Sequence, residues 1–171
     1  MDEVVFNALE FSTAERALVD KFTRDTPPPR RRTRDPSGRT VIVLDASATA
    51  FALLDEGETG DRCRAAGQAD SRWLVPEHWL IEVLSVIRGT LLGGKIKPDH
   101  AAEAAAAVAE MDPVAVRTRL LAARIWELRS NLTTCDAAYV ATAERYRCAL
   151  VTTDARLARA PGIQCTVNLI P

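Results

Sequence analysis

From Thr40 onward the chain alternates short, continuously apolar runs with longer stretches whose apolar residues recur at helical spacing. Val41 to Leu44 is a four-residue apolar run that predicts a strand. The following Asp45-Ala-Ser-Ala-Thr-Ala-Phe-Ala-Leu-Leu-Asp reads as a helix, ended by Gly57. Trp73 to Pro76 predicts a second strand, followed by a helical stretch from Glu77 to about Leu92 that Gly93-Gly94 closes. Pro98 opens an Ala-rich helix to about Met111, and Pro113 to Val116 predicts a short strand. Thr118 to Ser130 is periodic, with Leu120, Leu121, Ile125 and Leu128 on one stripe. A further helix is expected from about Cys135 to Arg147, a strand over Ala149 to Thr152, a helical turn from Asp154, and a last strand between Gln164 and Leu169. Strands that alternate with helices, and that are apolar throughout, predict a parallel sheet buried on both faces. No internal repeat is visible.

The first 39 residues follow another rule. Ser12-Thr13-Ala14-Glu15 is a capping-box pattern, and Phe11, Ala14, Leu18 and Phe22 share a helical face, so residues 12 to 23 predict one short amphipathic helix. Residues 26 to 38 are rich in Pro and Arg, cannot sustain a helix and have little to bury, which predicts a linker. The division expected is therefore an extension over 1–39 and one globular domain over 40–171.

Composition narrows the class. At 171 residues, 47% hydrophobic and 26% charged, the chain suits a single domain with a sizeable core. A net charge of −1 gives no global basic footprint for gripping nucleic acid, so any RNA contact has to be local. Cys63, Cys135, Cys148 and Cys165 form neither a CxxC pair nor a zinc-type spacing, and reduced thiols are expected. The apolar runs fall well short of the roughly 18 residues of a membrane span. The acidic start Met1-Asp2-Glu3 lacks a signal peptide's basic region. A cytoplasmic protein without membrane contact is the expectation.

Four acids then stand out. In an open parallel sheet, ligands bind beyond the carboxyl ends of the strands. Asp45 directly follows a strand, Asp154 follows another after one residue, and Asp136 sits at the start of its helix. Each alone is better explained as a helix cap, a favoured place for Asp. Glu82 lies in Trp79-Leu80-Ile81-Glu82-Val83-Leu84, a helix apolar on nearly every face, where an acid needs a reason; snorkelling to solvent or pairing with Arg88 would supply one. If the four converge, each pair at 4 Å costs roughly 4 kcal/mol at an effective dielectric near 20, and the cluster demands a cation. The expected ligands are all oxygen, with no His or Cys taken to lie near them, which selects Mg²⁺ or Mn²⁺ and points to phosphodiester chemistry. His78 and His100 show no constellation and are assigned no role. Trp79, Trp126, Tyr139 and Tyr146 are expected in the core or at a dimer contact rather than as base-stacking platforms.

The segments Val-Leu-Asp45-Ala-Ser-Ala, Val-Pro-Glu-His-Trp-Leu-Ile-Glu82-Val, Thr-Thr-Cys-Asp136-Ala-Ala-Tyr-Val-Ala-Thr-Ala-Glu and Leu-Val-Thr-Thr-Asp154-Ala-Arg-Leu resemble, in that order, the motifs of VapC-type PIN-domain toxins. The likeness covers about residues 40 to 170. It implies a three-layer α/β/α sandwich around a central, mostly parallel sheet, and metal-dependent endoribonuclease activity on tRNA or ribosomal RNA. It also implies a cognate antitoxin; a homodimer is expected too. Asp45, Glu82, Asp136 and Asp154 match the family's acidic positions, with Asp45 and Asp136 foremost as metal ligands; Ser47 and Thr152 match its supporting hydroxyls. Cys135 departs from the pattern, standing where many relatives have an aromatic residue, a change expected to touch packing and not ligation.

The extension is the second departure. It reads as an appended segment outside the functional domain, as an RNA-binding arm, since residues 30 to 39 carry five Arg and one Asp, or as a latch whose Arg reaches the acids. A haloacid-dehalogenase phosphatase would want a second Asp where Ser47 stands, and a response-regulator receiver would want paired acids near the start and a late Lys. The rival from another class is a PIN fold that binds RNA or protein without cutting.

Overall fold

The computed structural model describes residues 41–69 and 72–171. The helix expected over residues 12–23 and the Pro/Arg linker lie outside the described residues. Among the described residues, five strands form one sheet: β1 Ile42–Leu44, β2 Trp73–Pro76, β3 Val114–Val116, β4 Ala149–Thr152 and β5 Val167–Leu169, in the order β3-β2-β1-β4-β5. Every neighbouring pair is parallel, with Val43 opposite both Leu74 and Leu150, and Thr152 opposite Leu169. The helices are α1 Ala46–Leu54, α2 Glu58–Ala69, α3 Trp79–Leu92, α4 Pro98–Ala109, α5 Ala122–Glu127, α6 Thr134–Tyr146 and α7 Ala155–Ala158.

The apolar strands are continuous because the sheet is covered twice. Ile42 and Leu44 of β1 pack with Val151, Ala48 of α1 and Cys63 of α2 on one face. Val43 and Leu150 turn the other way, into the larger cluster that holds Ala137, Ala138, Val140 and Ala141 of α6. Alternate side chains thus feed two separate cores, as the period-two geometry of a strand requires. The expected three-layer α/β/α arrangement is what forms, with a sheet that is parallel throughout.

Two local differences from the sequence reading have physical causes. Helix α2 lies where no element is expected, in the polar sequence Glu-Thr-Gly-Asp-Arg-Cys-Arg-Ala-Ala-Gly-Gln-Ala. Its two glycines lower helix propensity, yet both are needed for close packing. A Cβ on Gly60 would lie 1.9 Å from the Asp55 carbonyl oxygen, and one on Gly67 would lie 3.1 Å from the Trp73 ring. Asp55 joins the two helices, its carboxylate accepting from the backbone N–H of Gly57 and Gly60 at 3.2 and 2.7 Å. The single helix expected over Thr118 to Ser130 is instead a 3-10 turn, Thr118–Leu120, followed by α5. The break follows the side chains: Leu121, Ile125 and Leu128 are buried, whereas Leu120 is exposed and does not belong to their stripe.

The order β3-β2-β1-β4-β5 means that the chain builds outward from β1 in one direction and then returns to build in the other. The change of direction falls between β1 and β4, and the crevice it opens at their carboxyl ends is where a doubly wound sheet binds ligands.

Candidate active site

Asp45 and Thr152 stand at that crevice, one just past β1 and the other at the end of β4. The Asp45 backbone N–H donates to the Val151 carbonyl at 3.0 Å, which fixes the residue against β4. Its carboxylate is buried, and its Oδ2 accepts from both Ser47 Oγ and Thr152 Oγ1 at 2.6 Å. Both hydroxyls converge on one oxygen, so Oδ1 takes neither. Asp45 occupies the N-cap position of α1 but makes no capping bond with its side chain, and the capping explanation fails for it.

Asp136 lies in the first turn of α6. The hydroxyl of Thr133, the N-cap, accepts from the Asp136 backbone N–H at 3.1 Å and donates to Asp136 Oδ2 at 2.8 Å, so one group caps the helix and orients the carboxylate. Glu82, in the first turn of α3, neither snorkels nor pairs with Arg88. Its Oε2 accepts from the buried Tyr139 hydroxyl at 2.6 Å and lies 3.2 Å from His78 Nε2. Asp154 is the acid that capping does explain: its Oδ1 accepts from the backbone N–H of Arg156 and Leu157 at 2.7 and 3.3 Å, and Arg156 Nη2 approaches Oδ2 at 3.4 Å.

Four elements nevertheless bring all four acids to one cavity of about 320 Å³, which Asp45, Ser47, Glu82, Ser85, Asp136 and Asp154 help to line. The electrostatics divide them. Burial pushes the Asp45 carboxyl above its ordinary pKa, against the hydrogen bonds from Ser47 and Thr152, and the negative charges of Glu82 and Asp136 push it further up. Burial also acts to raise Glu82, but the His78 imidazole beside it, the hydrogen bond from Tyr139 and the Cys135 thiol outweigh it and leave Glu82 below its usual value. Asp154 is lowered as well, burial being overcome by the N–H groups and guanidinium it faces at α7. Asp45, Glu82 and Asp136 therefore form a mutually repelling group, and Asp154 borders it. Among the described residues, neither Asp45 nor Asp136 has a Lys or Arg partner.

Sequence reasoning passed over the surroundings of Glu82. The sequence pattern gives His78 no role and Cys135 only a packing role; both lie beside this carboxylate, so the cavity is lined by oxygen donors but its Glu82 edge is not purely oxygen. The available signal was spacing, since His78 and Glu82 are one helical turn apart and Cys135 adjoins Asp136. Tyr139 and Trp79 are buried as expected, Trp79 donating to Thr49 Oγ1 at 3.2 Å. Tyr146 packs partly buried against the core. Trp126 is 54% exposed and belongs to no core, its ring lying under the Arg129 guanidinium at 4.9 Å.

A family model described as the PIN domain matches residues 42–163. Ribonuclease VapC9 of Mycobacterium tuberculosis is 37% identical over 135 residues, covering 77% of this chain and 99% of the relative. Ribonuclease VapC1 of the same organism is 33% identical over 129 residues, covering 75% and 96%. Among solved structures, the Mycobacterium tuberculosis toxin VapC20, described as cleaving the sarcin–ricin loop, superposes with a TM-score of 0.53 at 17% identity, over 72% of this chain and 96% of that one. VapBC2 of Rickettsia felis, bound to a DNA fragment from its promoter, gives 0.54 at 11% identity, over 77% and 100%. These two structures share the fold, and the sequence matches over nearly the full length of the relatives carry the family: this chain belongs to the PIN-domain family and, within it, to the VapC ribonucleases.

Proposed function

We propose that this chain is an endoribonuclease toxin in which Asp45, Glu82, Asp136 and Asp154 hold a divalent Mg²⁺ or Mn²⁺ ion against an RNA phosphodiester. The observation that carries this reading is the buried Asp45 carboxylate, set beside Glu82 and Asp136 with no basic side chain among the described residues to neutralise it. Burying like charges together is unfavourable unless a cation is shared. Only oxygen donors face the cavity, which fits a hard ion. When bound, such an ion supplies positive charge to the phosphate under attack and lowers the pKa of a water.

The remaining work falls to the chain itself. Ser47 and Thr152 fix the Asp45 carboxylate through one oxygen and leave the other toward a ligand. Thr133 does the same for Asp136, and Tyr139 holds Glu82. Side chains pinned in this way do not have to be ordered when substrate arrives, which is how supporting hydroxyls contribute to metal affinity and rate. Asp154, capped onto α7 through Oδ1, completes the set of four acids from the edge of the cavity.

The substrate is a structured RNA of the tRNA or ribosomal class, and the protein partners are a cognate antitoxin and a second copy of the chain. The ribonuclease names of the relatives support the RNA, and the VapBC2 structure together with the exposed Leu80, Ile81, Val86 and Leu92 of α3 supports the protein partners. No helix among the described residues is long and apolar enough to cross a membrane, in keeping with a cytoplasmic RNA target. The full-length chain is expected to cut RNA with Mg²⁺ or Mn²⁺, to stop with EDTA, and to be inactive but folded as Asp45→Asn. Cleavage that survives both EDTA and Asp45→Asn would leave a PIN fold acting by some other means, and absence of cleavage by the wild type would favour a binding module.

A further inference from the structure

His78 and Glu82 stand one turn apart on the first part of α3, and Cys135 reaches them from the first turn of α6. An imidazole nitrogen, a carboxylate oxygen and the Cys135 sulfur all lie within 4.8 Å of one another. Two features make the trio more than proximity. His78 Nε2 is buried and makes no aligned hydrogen bond, although it lies 3.2 Å from Glu82 Oε2. Tyr139 also positions two of the three donors: its hydroxyl holds Glu82 at 2.6 Å, and its ring meets that of His78 edge-on at 5.5 Å between centroids. Such donors, arranged before any ion arrives, lose little conformational entropy on binding one.

We propose that His78, Glu82 and Cys135 form a second metal site, for a thiophilic divalent ion of the Zn²⁺ kind, and that an ion bound there draws Glu82 away from the acid cavity. Nitrogen, oxygen and sulfur ligands in one set are the donor chemistry of zinc and not of magnesium. Donors sharing a tetrahedral zinc lie about 3.5 Å apart, so the trio needs only a small contraction, and a fourth position stays open. Glu82 lines the cavity with Asp45 and Asp136 and also belongs to this trio. An ion held by His78 and Cys135 would compete for this carboxylate with an ion in the cavity. The binding half of the proposal stands alone; the consequence for cleavage rests on the nuclease reading above.

The test uses the full-length chain freed of metal by chelation, with Co²⁺ as a spectroscopic stand-in for Zn²⁺. Wild type is expected to give a thiolate-to-cobalt charge-transfer band that Zn²⁺ bleaches, Cys135→Ser to lose the band, and His78→Gln to weaken Co²⁺ binding by more than ~10-fold. Should Cys135→Ser fail to fold, alkylation of Cys135 provides the readout: Zn²⁺ slows it in wild type and not in His78→Gln. No thiolate band in wild type, a band of equal strength in Cys135→Ser, or equal protection in both chains overturns the site. For the consequence, Zn²⁺ is titrated against Mg²⁺-supported RNA cleavage, and the concentration that halves the rate is expected to rise more than ~10-fold in Cys135→Ser relative to wild type. Equal sensitivity of the two chains overturns competition for Glu82. A chain that shows the cobalt band but cuts no RNA with Mg²⁺ or Mn²⁺ contradicts the nuclease reading and leaves the second site intact.

Discussion

Among the described residues, two gatherings of carboxylates differ in what meets them: an arginine of the chain faces one, and none faces Asp45 and Asp136 in the other. At the join of α5, α6 and the loop before β5, Arg124 donates to both oxygens of Glu144 at 2.6 and 3.0 Å, to Glu127 at 2.9 Å and to the Gly162 carbonyl at 2.6 Å. The Gln164 N–H adds a further bond to Glu144. Every charge there is met by a fixed donor, and the guanidinium pKa is raised, first by its bond to Glu144. In the cavity, hydroxyls orient Asp45 and Asp136, but among the described residues no Lys or Arg answers their charge. The first arrangement is how a protein stabilises partly buried acids. The second sacrifices stability, and retaining it makes sense where the missing positive charge comes from outside the chain.

The contrast predicts that substitutions at the two places have opposite signatures. Asp45→Asn is expected to lower RNA cleavage by at least roughly 100-fold, the several kcal/mol that a misheld metal costs the reaction. In EDTA the same variant is expected to unfold no more easily than wild type, or less easily, because a repelled buried charge is gone. Steady-state cleavage and a denaturant titration of the same preparation read both. Arg124→Ala should do the reverse, destabilising the fold by about 3 kcal/mol, since it strands Glu144 largely buried, while the cleavage rate per folded molecule stays unchanged. If Arg124→Ala lowers that rate as much as Asp45→Asn does, the two regions are not separable in the way described.

Smaller effects sharpen the distinction. Thr152→Val removes the hydroxyl that holds Asp45 Oδ2 and receives the Asp154 N–H, and is expected to weaken Mn²⁺ affinity or cleavage by ~10–100-fold, with Thr152→Ser restoring most of the loss. The pH dependence is smaller still and has a definite sign. Asp45 titrates above its ordinary value of 3.8, so between that value and the raised one the folded chain binds more protons than the unfolded chain. Its contribution to stability therefore falls as the pH rises through that window. Glu82 and Asp154 are lowered, so theirs is present above the ordinary carboxylate range and is lost as the pH drops through the lowered values. In EDTA, wild type should accordingly lose stability relative to Asp45→Asn as the pH rises from 3.8, and saturating Mn²⁺ in place of EDTA should reverse that trend. A difference that grows in the opposite direction would contradict the burial of Asp45 charge.

Much of the fold was legible from apolar runs alone. Trp73–Pro76 and Ala149–Thr152 are strands over the residues expected, because a short continuous run of largely apolar residues beside turn formers leaves a doubly covered strand as the economical reading. Helix α2 was not legible, since Gly60 and Gly67 are there for contacts with Asp55 and Trp73 that local sequence does not announce. The site was legible as a set of acids but not as a geometry. Asp45, whose carboxylate ignores its helix, and Asp154, whose carboxylate caps one, both stand just before a helix; the difference arises from Ser47, two residues on from Asp45, and from Thr152, which tertiary folding brings to it. The same holds for Cys135, placed beside Glu82 by the packing of α6 against the sheet.

The account rests on a shared cation between Asp45 and its acidic neighbours, and Mn²⁺ binding by the metal-free full-length chain, followed by electron paramagnetic resonance or calorimetry without RNA, tests it most directly. Wild type is expected to bind Mn²⁺ and to be stabilised against unfolding by it, and the double variant Asp45→Asn, Asp136→Asn to lose both effects while keeping its fold. Binding of equal strength by wild type and the double variant, or no binding by wild type, would contradict it.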